Sequence, residues 1–307
     1  MPCPSNASDF SDEVYAPIVK ATLQQLDLYH RLSALYPRHF TPTPSHASAL
    51  HAFASKRLHQ IGNSLSTLRL YHQLGVRYAT LTWNCHNSYA DAALVTDGAT
   101  RKTVVAEPLW GGVSPQGRRV VREMNRLGML VDLAHGGGGG SWEGSLAPPI
   151  FSHSSAYTLC PHPRNVPDDV LRLVKARNSL VMVNFSPDFI SCVPGKDDSG
   201  LPEFYPANAT LAQVVRHIMY IGDLIGYDHV GIGTDYDGIE STPRGLEDVS
   251  KFPDLVAELL GQGVSDENAA KVVGRNLLRV WKEVDEVAER LQREMEPVED
   301  ELVGGWG

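Results

Sequence analysis

The sequence predicts an α/β protein built on a parallel sheet, and three observations carry that prediction. Five apolar runs, at residues 77–83, 129–135, 149–153, 180–184 and 230–235, have the length of buried strands. Amphipathic helical text separates most of them, which is the alternation a parallel sheet requires. Each run closes on a polar or aromatic residue able to do chemistry, and functional groups at strand C-termini are the habit of a (β/α)8 barrel of the TIM type. With 307 residues, 42% of them hydrophobic, the chain can bury the core of one domain spanning 1–307.

The elements follow in order. Residues 1–16 read as loop, with Asn6-Ala7-Ser8 a glycosylation sequon. Val19, Leu23, Leu26, Tyr29, Leu32 and Leu35 recur at spacings of three and four, predicting a helix that Pro37 stops. From Thr41 to His59 the pattern is weak: breakers crowd 42–46, Ala49 to Leu58 suits a short helix, and no strand is legible. Asn63 is the expected N-cap of a helix carrying Leu65, Leu68, Tyr71 and Leu74 and closing on Gly75. After the strand ending at Trp83, residues 91–116 read as a long loop. A helix follows at 118–127, and Gly128 opens the strand to His135.

Gly136 to Gly140 are five consecutive glycines where a barrel would place a helix; each costs about 1 kcal/mol of helix propensity relative to alanine, so a loop is expected. Pro167-Asp168-Asp169 puts proline and two acids in the first turn of a helix running to Arg177. A helix at 211–225 precedes the last strand. Beyond Gly238 the text is helical, at 253–260, 266–273 and 275–294.

A net charge of −9 without a basic cluster argues against nucleic acid and anionic membranes as partners and favours a small zwitterionic or cationic-ended substrate. No apolar run reaches the roughly 18 residues of a membrane span, and neither end reads as a signal peptide or lipid anchor, so the sequence as written is expected to be cytoplasmic. Cys3, Cys85, Cys160 and Cys192 show no CxxC spacing and are half-buried thiols or as many as two disulfides.

His135 and His153, at neighbouring strand ends, suit two ligands of one zinc or a hydrogen-bonded pair of pocket imidazoles. Asp235 and Asp237 at the last strand's mouth suit proton transfer, a hold on a substrate ammonium, or turn capping. Arg164 suits a bidentate clamp on a carboxylate or a surface ion pair. His86, His162, His217 and His229 read as loop or helix-face residues. HExxH, GxSxG, P-loop and GxGxxG motifs are all missing from the sequence, which leaves those hydrolase, kinase and dehydrogenase readings without support.

Six stretches together resemble the membrane (renal-type) dipeptidase family, binuclear zinc peptidases on a (β/α)8 barrel. They are residues 74–82 (LGVRYATLT), 132–135 (DLAH), 151–157 (FSHSSAY), 164–169 (RNVPDD), 235–238 (DYDG) and 245–250 (GLEDVS). The resemblance implies that His135 and His153 bind one of the zincs, that Arg164 holds the terminal carboxylate of a dipeptide, and that Asp235 contacts substrate and shuttles a proton. It implies disulfides Cys3–Cys85 and Cys160–Cys192, which suit an oxidising compartment, and relatives that are often homodimers.

The departures shape a second set of expectations. The family's His-x-Asp pair on the first strand and the bridging glutamate after the third have no counterpart, so the chain is expected to be an incomplete barrel lacking the first three strands. Trp83 stands where many members carry a substrate-facing histidine. The resemblance thus implies a zinc-dependent dipeptidase, with Cys-Gly conjugates within the family's substrate range, and one zinc or none on this chain with little turnover. A homologue that binds dipeptides without cleaving them, or an incomplete reading of an active enzyme's gene, are the alternatives.

Overall fold

The computed structural model describes residues 9–37, 55–96, 100, 102–137 and 144–300. Helix α1 (Asp12–Leu35) sets Asp12 and Glu13 in its first turn, where the helix dipole favours acids, and buries Tyr15, Thr22 and Leu26. Strand β1 (Ser55–Arg57) leads through a tight turn to α2 (Leu65–Gln73), which is capped by Ser64 accepting from Thr67 N. Asn63, the expected cap, instead takes a left-handed φ of 57° one residue earlier and donates its amide to Phe10 O and Asp12 Oδ1. Asparagine tolerates that conformation better than most residues. Gly75, at φ 100°, turns the chain into β2 (Tyr78–Thr80).

The stretch read as a long loop holds a hairpin, β3 (Leu94–Thr96) antiparallel to β4 (Thr103–Val105). Helix α3 (Pro115–Leu127) starts three residues before its expected start, because Pro115 at the first helical position needs no N–H partner and Ser114 caps from outside. Gly128, left-handed at φ 82°, ends α3 before β5 (Leu130–Asp132). Then come β6 (Ile150–Phe151), α4 (Asp168–Ala176) and β7 (Leu180–Val183). A short α5 (Pro187–Ile190) and a second unforeseen hairpin, β8 (Cys192–Val193) with β9 (Glu203–Phe204), precede α6 (Leu211–Ile225) and β10 (Val230–Ile232). Helices α7 (Phe252–Gly261), α8 (Asp266–Ala270) and α9 (Asn276–Glu294) complete the order.

One sheet runs β1-β2-β5-β6-β7-β10, every neighbouring pair parallel. The five expected strands are joined by a sixth, β1, in the stretch where the sequence shows none. It lies beside β2, where the resemblance puts the strand expected to be missing. Ser55-Lys56-Arg57 has no apolar alternation; it pairs through its backbone, which a pattern of side chains cannot report.

Between this sheet and its helices, Ala79, Val131, Val181 and Val183 pack with Leu68 and Tyr71 of α2, Val120 and Met124 of α3, Leu171 of α4 and Ile218 of α6. Each valine, leucine, isoleucine or methionine among them contributes about 1.5–3 kcal/mol on burial. At the opposite end, Leu130, Ile150 and Leu180, the first residues of three neighbouring strands, pack on Val280, Trp281 and Val284, so α9 lies across the strand starts and leaves the strand C-termini for function. The stretch after α9 is tied back: Val298 N donates to buried Glu123, and Asp300 accepts from Leu65 N (2.6 Å) and Ser66 N (2.8 Å) at the start of α2.

Cys160 and Cys192 form a disulfide. Cys85 is disulfide-bonded as well, and Cys3 lies outside the described residues. No helix among the described residues is long and apolar enough to cross a membrane.

Candidate active site

Three strand ends converge. β5 ends at Asp132, and a tight turn closed by Gly136 N on Leu133 O presents His135 at φ 90°. β6 ends at Phe151 and is followed by Ser152 and His153. β10 ends at Ile232 and is followed by Gly233, Thr234 and Asp235, the last at φ 61°. Two side chains at this mouth therefore sit on left-handed backbone, a conformation that costs a non-glycine residue on the order of 1 kcal/mol or more and persists only where its surroundings fix it. Gly233 makes the convergence sterically possible: a Cβ there would lie 1.9 Å from Ser152 O. Gly238 does the same for the carboxylate, since its Cβ would meet Asp235 Oδ1 at 2.2 Å.

His135 Nε2 lies 2.9 Å from His153 Nε2, with the rings edge to face and their centroids 4.9 Å apart. Asp235 Oδ2 lies 3.8 Å from His153 Nε2. The structure thus brings together three of the five candidate residues, His135, His153 and Asp235. Arg164 stands on the same side of the sheet, on the loop that carries His153. It is buried, with its guanidinium carbon 5.2 Å over the Phe189 ring. Phe189 also stacks on His162 at 4.1 Å, and burial, assisted by the Arg164 charge, pushes the His162 imidazole down to about 3, so it is neutral. Asp237 is exposed.

His135 Nδ1 is 3.0 Å from Asn84 Oδ1. A carbonyl oxygen only accepts, so this contact is a hydrogen bond when Nδ1 carries the proton, and Nε2 of the neutral ring then presents a lone pair toward His153. An imidazole nitrogen so oriented, beside a second imidazole and a carboxylate, fits a divalent cation held between the two rings, with Zn–N distances near 2.0–2.1 Å the usual requirement. Among the described residues no group of three or more His, Cys, Asp or Glu side chains is arranged to hold a metal.

His86, His217 and His229 serve the scaffold. His86 Nδ1 accepts from Ala92 N and lies 3.2 Å from Asp91, whose carboxylate clasps Leu109 N, Trp110 N and Gly112 N. His229 bonds Ser179 O. His217 is fully buried on α6, accepting from Ala156 N at Nδ1 and donating from Nε2 to Ile190 O. Sequence reasoning missed Asn84, Ser152 and Thr80 around the site. It noted Asp132 only as part of a motif, although a buried aspartate inside an apolar strand is itself a signal.

The Membrane dipeptidase (Peptidase family M19) profile matches residues 2–295. Dipeptidase aclJ of Aspergillus oryzae is 44% identical over 299 residues, covering 93% of this chain and 66% of the relative. Dipeptidase tcpJ of Claviceps purpurea is 42% identical over 316 residues, covering 99% and 69%. The chain spans about two thirds of the length of these curated relatives.

Among solved structures, the probable dipeptidase PvdM from Pseudomonas aeruginosa superposes with a TM-score of 0.76 at 23% identity, over 88% of this chain and 81% of that one, and shares the fold. A metallo peptidase from Rhodobacter sphaeroides, solved with a phosphinate mimic of the dipeptide L-Ala-D-Ala, gives 0.66 at 25% identity over 80% and 69%. A profile match over nearly the whole length, relatives above 40% identity, and imidazoles meeting at the strand C-termini of a parallel sheet together place this chain in the membrane dipeptidase family, peptidase family M19.

Proposed function

We propose that the protein is a metal-dependent hydrolase of small dipeptides, with zinc as the metal. The observation that carries this reading is the meeting of His135 Nε2, His153 Nε2 and Asp235 Oδ2 at the mouth of the sheet. His135 and His153 would hold the ion. The chemistry a bound zinc supplies is Lewis-acid polarisation of the scissile carbonyl and activation of water. Asp235 takes a proton from the attacking water and returns it to the leaving amine nitrogen, a role that needs a carboxylate at the reacting centre. Arg164, with its planar fork, holds the dipeptide's free carboxylate and fixes which bond faces Asp235. The solved relative carrying an L-Ala-D-Ala mimic supports a dipeptide of small side chains as the first substrate to try, with Cys-Gly second. The disulfides favour an oxidising compartment over the cytoplasm expected from the ends of the sequence.

The test is zinc content of the purified protein by mass spectrometry together with hydrolysis of Ala-Ala and Cys-Gly, alongside Asp235→Asn. One zinc per chain with turnover lost in Asp235→Asn is expected; turnover unchanged by that substitution refutes the role of Asp235. The small donor set among the described residues favours a second reading, dipeptide binding without cleavage. Calorimetry that detects dipeptide uptake by a chain without turnover would select it.

A further inference from the structure

We propose that Asp132, acting through Ser152, is a positioning residue that fixes the tautomer of His153, and that Asn84 does the same for His135, so that both Nε2 atoms meet as acceptors. The inference deepens the metal-dependent reading above and rests on it for its purpose, though not for its geometry.

Asp132 closes β5 fully buried, and four donors are aimed at its carboxylate. Oδ1 accepts from Ala134 N at 3.0 Å and from Ser152 N at 2.9 Å; Oδ2 accepts from Thr80 Oγ1 and from Ser152 Oγ, both at 2.6 Å. Each oxygen is thus engaged twice as an acceptor. The single hydroxyl proton of Ser152 is committed to Asp132, which leaves Ser152 Oγ only lone pairs for its other neighbour. That neighbour is His153 Nδ1, 2.6 Å away. The bond forms only if Nδ1–H donates, and His153 Nε2 is then an acceptor.

On the other ring, Asn84 Oδ1 imposes the same tautomer on His135. Two acceptors 2.9 Å apart repel unless a cation lies between them, so the two relays together turn an ordinary histidine pair into a seat for a positive charge. A purely structural Asp132, one that merely tied β2, β5 and the turn after β6, would need none of this polarity. The direction of the Ser152 proton is what separates the two roles.

The test is nitrogen-15 NMR of the imidazoles in the metal-free full chain at neutral pH, paired with a zinc titration. In the wild type His135 and His153 should both show Nδ1–H. Asp132→Asn places an amide donor against Ser152 Oγ, reverses the hydroxyl, and should convert His153 to Nε2–H while leaving His135 as it was. Should Asp132→Asn fail to fold, Ser152→Ala, which removes the relay and keeps the carboxylate, should give His153 a mixture of tautomers. Both variants should weaken zinc binding by about 10–100-fold.

A wild-type His153 protonated at Nε2, or a tautomer unmoved by both substitutions, overturns the relay. So does a zinc affinity that both variants leave unchanged. A wild-type chain that takes up no zinc yet loses the His153 tautomer in Ser152→Ala upholds the relay and sinks only the metal reading.

Discussion

Gly233→Ala is the most direct probe of how the site is held. The added Cβ would lie 1.9 Å from Ser152 O and 2.8 Å from Met182 Cβ. To reach ordinary contact at 3.4 Å, one side must retreat by about 1.5 Å. Neither can do so cheaply, because Ser152 N is bonded to Asp132 Oδ1 at 2.9 Å and Met182 O accepts from Ser154 N at 2.9 Å. Overpacking of this kind costs about 1–3 kcal/mol or more, and a loss of about 3 kcal/mol in a domain of this size lowers Tm by roughly 5 °C.

Because the strain falls between β10 and the loop after β6, it also pulls Asp235 away from His153. Gly261→Ala is the control: no atom lies within 4 Å of its Cβ, and it ends α7, so a gain of about 0.5–1 kcal/mol is expected. Urea unfolding and thermal melts of both variants decide the matter. A Gly233→Ala protein that unfolds together with the wild type would show that β10 does not press on the His153 loop as described.

Burial holds the His217 imidazole neutral, pushed down to about 4 from 6.5. Above about 6.5 both states are neutral and stability is full; as pH falls toward 4 the unfolded chain takes a proton that the fold refuses, so about 3 kcal/mol is lost across that window. Urea midpoints across pH should show this slope, and His217→Gln should flatten it; His72, also held down to about 4 by burial, adds in the same direction. Glu123 is fully buried against Arg69 at 3.1 Å and Arg126 at 2.8 Å, so Glu123→Ala should cost about 3–5 kcal/mol by urea unfolding, with Glu123→Gln less harmful. Asp300→Ala removes the acceptor at the start of α2 and should cost about 1 kcal/mol in the same assay. In an active preparation, Arg164→Lys should raise KM for dipeptides and leave dipeptide amides unaffected; equal effects on both would remove the carboxylate from its role.

The parts of the fold written in side-chain pattern were legible. Leu65, Leu68 and Tyr71 marked α2, Val120 and Met124 lie within the helix read after Gly117, and the five apolar runs each contain a strand. What escaped is written in the backbone. β1 is three polar residues paired on an edge, and the hairpin of β3 and β4 is too short to show alternation, although Asp97-Gly98 between its strands is a turn signal the sequence offered. The same division runs through the site. His135, His153 and Asp235 announced themselves by standing at strand ends, whereas Asn84 and Thr80 act across 51 and 52 residues of chain and acquire meaning only from what they touch.

Around the mouth the loops are not independent. Ala93 N bonds His135 O, Val105 N bonds Ser199 O, Asn165 bonds Phe189 O, and the Cys160–Cys192 disulfide joins the His153 loop to the second hairpin. These contacts tie the loops after β2, β5, β6 and β7 to one another, so a displacement of one is passed to its neighbours. Reducing that one cross-link would remove the covalent tie between the His153 loop and the second hairpin and leave those two loops held by noncovalent contacts such as Asn165 to Phe189 O.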